Sequence, residues 1–492
     1  MSISHGGQAK VRAGGENLGD RRLRPRGAAG LGASARDDGR LGTESSVPAF
    51  SRILALLLAL WGPGARAQDT RTVSEPVIPP VCMALGARLA AVDERRPDTV
   101  RIQQALDGCP AGQGVELRPE GAYGAFLTGP LQLRAGVTLL VAKGAILFGS
   151  RDPRDYDAAP GSCGIVNTSG RGCRPMIAGD GVAGAAVMGD GVIDGRGGAT
   201  LLGQTVSWWA LAQQAKVQNA NQNCPRILAL QRCDNFTLYR ITLRNSPNFH
   251  VAYNGGNGFT AWGVIIRAPK EGRNTDGIDP GNATNVTITH CYIDAGDDNV
   301  AVKAGLPGPT SHITISHNHF YGGHGVSIGS ETDGGLSDML VTDLSIDGAD
   351  NGIRIKSNSS RGGVVRNVVY EDVCIRNTKN PILMDTHYSF RGAATGRLPW
   401  FTDIVLRNVR VYGGGKITLD GFDRERRLGI AFDNVVLDDP RATKFVSGHA
   451  TVKLGPGPVN FRPKGEDVIV EGGAGEGRPN SCQGKFVPMP GK

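Results

Sequence analysis

The sequence predicts an all-β chain wound into a right-handed parallel β-helix, a single-domain solenoid with a short N-terminal capping helix. The first observation is a repeat of β-branched, alternating segments. It runs through NFTLYRITL (Asn235–Leu243), GFTAWGVII (Gly258–Ile266), NVTITHCYI (Asn285–Ile293) and HITISHNHF (His312–Phe320). It continues with DMLVTDLSI (Asp338–Ile346), NVVYEDVCI (Asn367–Ile375) and DIVLRNVRV (Asp403–Val411), the starts lying 23, 27, 27, 26, 29 and 36 residues apart. Second, a short strand follows each middle segment, as GIDP at Gly277, NVAVK at Asn299, GVSIG at Gly325 and GIRIK at Gly352. Third, 72 glycines with only 6% aromatic residues suit many turns between short strands. Two or three strands per repeat of this length describe one coil, stacked on the next at roughly 4.8 Å. Propeller blades run about 40 residues with four strands each, so the period argues against that rival.

Earlier coils are carried by GVTLLVAKGAILFG (Gly136–Gly149) and AVMGDGVIDG (Ala186–Gly195). Ahead of them, DTVRIQQALDGC (Asp98–Cys109) places Val100, Ile102, Ala105 and Leu106 at helical spacing. That pattern predicts an amphipathic helix over the open end of the core. The β-helix is expected over 68–455, and the Gly- and Pro-rich stretch 456–492 reads as a C-terminal tail.

Ile53 to Trp61 (ILALLLALW) is an apolar run of nine residues, preceded by Arg52 and followed by Gly62-Pro63-Gly64 and Ala65-Arg66-Ala67. A membrane-spanning helix needs about 20 residues, so this run is too short. Its small-x-small end predicts a signal peptide over 52–67, cleaved near Ala67, and a secreted product. Residues 1–51 are Arg-, Gly- and Ser-rich, either a disordered extension or the mark of a start site assigned too early, with initiation near Val47 favoured. The segment up to Ala67 holds 10 Lys/Arg against 5 Asp/Glu, which leaves +3 of the net +8 for the rest. No long basic run remains, so neither a nucleic-acid nor a membrane partner is expected, and the chain is expected to be a monomer. The nine cysteines lack metal-ligand spacing. In an oxidising compartment, Cys163–Cys173 and Cys224–Cys233 are close enough to close small loops, while Cys291 and Cys374 read as buried free thiols inside strands.

The chemistry emerges when the second strands are aligned on Ile278, Val300, Val326 and Ile353. Two positions earlier stand Asp276, Asp298, His324 and Asn351, with Asp297 beside Asp298. Equivalent positions of a solenoid lie above one another, so Asp276, Asp298 and His324 should form a column on adjacent coils. Arg354 and Lys356 alternate with Ile353 and Ile355, so both should face outward on that side. Glycoside hydrolysis needs one protonated carboxyl for the leaving oxygen and another carboxylate for water or direct attack. Crowded carboxylates cannot all ionise easily, and one of their pKa values should rise. The two cations suit the carboxylate of a uronic acid. Aspartates such as Asp279, Asp294 and Asp347 read instead as turn residues bonded to backbone amides.

These motifs resemble those of glycoside hydrolase family 28, the polygalacturonases. The resemblance rests on Asn274-Thr275-Asp276, Gly296-Asp297-Asp298, Gly323-His324-Gly325 and Arg354-Ile355-Lys356, in the family's order and approximate spacing. Asn245-Ser246-Pro247 and Gly191-Val192-Ile193-Asp194-Gly195 also match, and Ser316–Thr332 looks most like the bacterial plant-cell-wall-degrading members. The resemblance implies an inverting, metal-independent β-helical hydrolase that needs no cofactor and acts on polygalacturonate, an acidic polysaccharide, by endo attack. It implies Asp297 as general acid, Asp276 and Asp298 as the pair that activates water, and His324 as a partner sharing or tuning the acid's proton. Arg354 and Lys356 would hold the galacturonate carboxylate, Asn274 would orient groups, and Tyr388 would touch substrate. Exo-acting and rhamnogalacturonan-cleaving enzymes of the family remain alternatives. A calcium-dependent pectate lyase or a non-catalytic β-helical adhesin would share the fold, but neither needs an acid/base set in this register.

Overall fold

The computed structural model describes residues 68–167, 169–389 and 393–491. Residues 1–51, the predicted signal peptide 52–67 and its cleavage at Ala67 lie outside the described residues. The chain forms a right-handed parallel β-helix whose strands stack coil on coil in three faces. Within one coil, Thr284–Thr289 lies on the first face, Tyr292–Ala295 on the second and Val300–Val302 on the third. The first two merge into single bent strands further on, as in Thr310–Gly322 and Leu336–Asp347.

Inward side chains form continuous apolar ladders. On the first face, Ile288, Ile315, Val341, Tyr370, Leu406 and Phe432 pair in register and are fully buried. Each such burial contributes roughly 1.5–3 kcal/mol, and one cluster runs from Leu85 to Phe461. The corner between the first and second faces turns on one left-handed residue per coil: Arg240, Gly263, His290, His317, Asp343, Asp372, Asn408 and Asn434. The sixth place of the repeat therefore favours Gly, Asn, Asp or His, which tolerate this conformation best. The first place of the repeat is left-handed too, at Asn235, Asn285, His312, Asp338, Asn367 and Asp403. Side-chain ladders stitch these corners, as from Asn285 Nδ2 to Asn257 Oδ1 (2.9 Å) and from Asn367 Nδ2 to Asp338 Oδ1 (2.6 Å).

The expected capping helix is α1, Thr99–Gly108, which buries Ile102, Ala105 and Leu106. Val100 differs from expectation and is exposed, because α1 packs through a stripe narrower than the apolar pattern. A second helix, α2 (Trp208–Val217), was not evident in the repeat; Ser207 caps it by accepting from the Ala210 amide. The stretch after Gly455 is not a free tail. Glu466–Gly472 adds a strand in parallel beside Thr443–Leu454, and Phe461 packs on Phe432 and Phe445 at 5.2 and 5.4 Å. Gly and Pro on both sides hide this strand, which covers the C-terminal end of the core.

Disulfides join Cys82–Cys109, Cys163–Cys173 and Cys374–Cys482. The expected Cys224–Cys233 bond is absent: strand Leu228–Gln231 holds the two at its opposite ends, and both are buried free thiols. Cys374 is not free either, since its side chain points away from the core and meets Cys482; Cys291 is free and buried. Closing a loop of 108 residues restricts the unfolded chain strongly. Replacing both Cys374 and Cys482 by Ala should therefore cost about 4 kcal/mol of stability, measured as a lowered denaturation midpoint and a C-terminal segment newly open to proteolysis.

Candidate active site

The third face sets the site. Val251, Ile278, Val300, Val326 and Ile353 pair in successive registers and point into the core. Two residues ahead of these inward anchors, Asp276, Asp298 and His324 line up on adjacent coils as expected, with Asp297 at their edge.

Local structure holds each group in place. Asn274 is left-handed (φ 54°), and the next residue, Thr275, ties two coils: its Oγ1 donates to Gly272 O (2.6 Å) and accepts from the Gly296 amide (3.0 Å). Beneath Asp276, the His250 amide donates to the Asp276 carbonyl (2.8 Å), and His250 Nδ1 lies 3.0 Å from the same oxygen. Burial lowers the His250 pKa to about 4, so the ring is neutral, with Nδ1 as donor. The backbone of Asp276 is thus pinned from below. Asn299 is fully buried, donates to Ile293 O and Tyr321 O, and accepts from the Gly325 amide, fastening the Asp297-Asp298 turn to the next coil. Gly323 and Gly325 both have φ of 60°, and a Cβ on either would lie within 2.4 Å of a carbonyl oxygen. Only glycine allows His324 to stand between them.

Asp298 is the centre of the cluster. It accepts from Ser327 Oγ (2.7 Å), Arg354 Nη1 (3.1 Å) and Lys356 Nζ (2.8 Å), and His324 Nδ1 lies 3.4 Å away. His324 Nδ1 is 3.2 Å from Asp297 Oδ1, which also accepts from the Asp298 amide. Exposure separates the two carboxylates: the side chain of Asp297 is 23% exposed and that of Asp298 only 2%. Asp297 is therefore the more open of the two to a ligand. Arg354 and Lys356 do lie on this side, but both are buried against Asp298 rather than open to solvent. The ring of Tyr388 covers them, 5.4 Å from each cation, within cation–π range. Asn274, Tyr388 and Lys356 line the same cavity of about 210 Å³ as the three aspartates.

The neighbours push the carboxylate pKa values in opposite directions. Burial pushes the Asp276 carboxyl well above its ordinary range, aided by the charges of Asp279 and Asp297. Its Oδ1 is buried and makes no hydrogen bond, and its nearest cation, Lys303 Nζ, is 3.8 Å from Oδ2. Burial opposes the charge of Asp298 too, but Lys356, His324 and Arg354 hold its carboxyl well below the usual range. Burial likewise works against Asp297, and the hydrogen bond with His324 lowers it nonetheless. His324 loses charge stability through burial and regains more from Asp297 and Asp298, which raise its pKa to about 9. The surroundings thus favour the protonated form at Asp276 and His324 and the ionised form at Asp297 and Asp298.

One ligand atom each from Asp297, Asp298 and His324 lies within 4.8 Å of the others, a spacing that would admit a metal ion. The donor set does not fit one, because Arg354 and Lys356 already occupy the Asp298 oxygens with positive charge. Asp385, His387 and Asp420 are grouped likewise, with His387 Nδ1 2.9 Å from Asp420 Oδ2.

Several members of the site were not foreseen. Asp279 is no turn residue: it is buried, and its carboxyl donates nothing to backbone geometry but pairs with Lys303 at 2.6 Å. Burial, against the pull of Lys303, pushes its pKa up to about 6. Lys303 and Asp279 belong to outward positions of the aligned strands, so extending the alignment past its carboxylates would have found them. Phe249, two residues ahead of Val251 and so one coil before Asp276, also lines the cavity, and Glu331 and Arg361 join it from turns that the repeat does not constrain.

Carboxylates with pKa values pushed apart, an imidazolium and two cations on the outer face of a parallel β-helix define a polysaccharide-hydrolase site. The chain belongs to glycoside hydrolase family 28: the model described as "Glycosyl hydrolases family 28" matches residues 130–451. The chain is 38% identical to a polygalacturonase of Ralstonia nicotianae, over 89% of this chain and 97% of that protein. It is 42% identical to an endo-polygalacturonase of Pectobacterium carotovorum subsp. carotovorum, over 78% and 94% respectively. Among solved structures, the polygalacturonase from Erwinia carotovora ssp. carotovora superposes with a TM-score of 0.75 at 40% identity, covering 78% of this chain and all of that one. An exopolygalacturonase from Thermotoga maritima shares the fold, with a TM-score of 0.65 at 21% identity, covering 82% and 94%.

The charge pairing makes a stability prediction. Lys356→Met leaves the buried Asp298 carboxylate short of a partner and should cost about 3 kcal/mol. Adding Asp298→Asn should recover part of that loss, so the double substitution costs less than the sum of the two singles in urea unfolding.

Proposed function

We propose that this protein is a secreted endo-polygalacturonase that hydrolyses α-1,4-galacturonosyl bonds with inversion at the anomeric carbon. The observation that carries the reading is a proton-sharing pair, His324 with Asp297 at 3.2 Å, set beside one ionised carboxylate and one whose oxygen has no partner. The relative named endo-polygalacturonase, 42% identical over nearly its whole length, supports endo attack. The apolar run Ile53–Trp61 and three disulfides support export to an oxidising compartment. No helix among the described residues is long and apolar enough to cross a membrane.

In this reading Asp297 is the general acid, although it is ionised in the free protein, because it acts together with His324. The pair holds one proton below about pH 9. Moving that proton from imidazolium to Asp297 and on to the leaving glycosidic oxygen leaves both groups in their neutral-imidazole and carboxylate forms. Asp276 and Asp298 face the attacking water. Asp298 is a weak base because three donors occupy its oxygens, so Asp276, once ionised, takes the water proton. Lys356 and Arg354 lie beside these groups, and a galacturonate carboxylate would compete with Asp298 for their charge. Tyr388 forms the wall on that side, and Asn274 orients the water or a sugar hydroxyl.

Asp297→Asn should lower kcat on polygalacturonate by 10²–10⁴-fold, the scale of general acid catalysis, read by release of reducing ends. Unchanged activity would refute the assignment, and proton NMR of the first product should show the inverted anomer. The pH profile should be a bell. Activity rises as Asp276, whose pKa lies above its ordinary value, loses its proton, and falls as the His324–Asp297 pair loses its own near pH 9. His324→Gln removes the upper holder of that proton. Its alkaline limb should therefore move to lower pH.

A further inference from the structure

The ladder that organises the site continues beyond the groups assigned above. Leu228 pairs with Val251, as Val251 does with Ile278. Two residues ahead of each anchor stand Arg226, Phe249 and Asp276, so Arg226 occupies the catalytic column two coils toward the N-terminus. At the strand spacing, that is roughly 10 Å from Asp276 along the groove. Arg226 packs its guanidinium over the Phe249 ring, 4.8 Å from the centroid. The other cations lining the two cavities are committed, Lys356 to Asp298, Lys303 to Asp279 and Arg361 to Glu331, and Arg354 beside them pairs with Asp298. Among the described residues, Arg226 makes no ion pair.

Beside it lies a second cavity of about 300 Å³, lined by Arg226, Phe249, Asn254, Asp279, Lys303 and Glu331. It shares Phe249, Lys303 and Glu331 with the catalytic cavity, so the two adjoin. Asp279 is 3% exposed, and its Oδ1 is buried without a hydrogen-bond partner in this wall. A guanidinium without a carboxylate and a buried carboxyl oxygen without a partner are complementary to one kind of guest: a sugar that offers both a carboxylate and hydroxyls.

Resting on the reading of the substrate as polygalacturonate, we propose that Arg226 and this cavity form a distal subsite holding the carboxylate of a galacturonate unit on the N-terminal side of the cleavage point. Arg226 grips that carboxylate in bidentate fashion, Phe249 supports the guanidinium from beneath, and Asp279 accepts from a ring hydroxyl. A substrate too short to reach the second cavity gains nothing from Arg226. The groups that face Arg226 are Asp276, Asp279 and Glu331 on the acidic side and Lys303 on the basic side, so a purely electrostatic role toward Asp276 is the alternative to be separated.

Affinity for oligogalacturonides of increasing length, measured by calorimetry on Asp297→Asn protein with and without Arg226→Met, tests the subsite independently of turnover. The expected result is a loss of about tenfold for long oligomers, the scale of one charge-assisted contact, that shrinks as the oligomer shortens. Arg226→Lys keeps the charge and should recover part of it. In otherwise native protein, Arg226→Met should raise the KM for polygalacturonate relative to that for the shortest cleaved oligomer. An equal loss at all lengths, no loss, or a fall in kcat with a shifted acid limb would overturn the proposal. If the native protein released no reducing ends from polygalacturonate while the calorimetric length dependence held, the reading of the activity would fall and the subsite would stand.

Discussion

The inward anchors of successive third-face strands must lie one above another, because each apolar side chain needs its neighbours on the adjoining coils to exclude water. That requirement alone brings Asp276, Asp298 and His324 together, although 48 residues separate the first from the last. A one-residue slip of any coil would send its inward residue to solvent and its carboxylate or imidazole into the core. Register, set by apolar burial, thus does the positioning that other folds assign to dedicated loops.

Within that frame, two carboxylates one coil apart have their pKa values pushed in opposite directions. Asp298 meets a hydroxyl, a guanidinium and an ammonium, while Asp276 meets burial, three other carboxylates and one ammonium at 3.8 Å. Desolvation acts on both alike, so the partners decide the outcome. The distribution also answers why cations suited to a sugar acid are buried here. Until a substrate arrives, they hold the Asp298 charge in a place that would otherwise expel it.

The period of the solenoid and the column of aspartates were legible in the sequence because both are repeats, and stacking turns repetition into proximity. The left-handed corner inside each segment was not read, although it recurs there as Asn, Asp and His. What the repeat does not govern stayed hidden. Helix α2 lies in a single enlarged turn, and strand Glu466–Gly472 is framed by glycines that read as tail. The partners of Cys374 and Cys82 lie 108 and 27 residues away, distances over which sequence spacing carries no geometry. Asp279 was misread because an aspartate after a strand start looks alike whether it caps a turn or faces a buried lysine. The exposure of Arg354 and Lys356 was misjudged for a related reason: alternation tells which way a side chain points, and not what waits for it there.

The single left-handed residue at the first corner has a further consequence. A turn made of one residue cannot lengthen without unravelling the ladders on both sides, so changes of chain length must go to the other two turns of each coil. Those turns border the third face. One of them holds α2, between Asp194 and Leu228, and the other holds Tyr388, between Asp385 and Trp400. The depth of the groove and the closure of its ends are therefore free to drift while the acid and base stay where they are. How a polymer is threaded and how its bond is broken are, in this architecture, separately inherited traits.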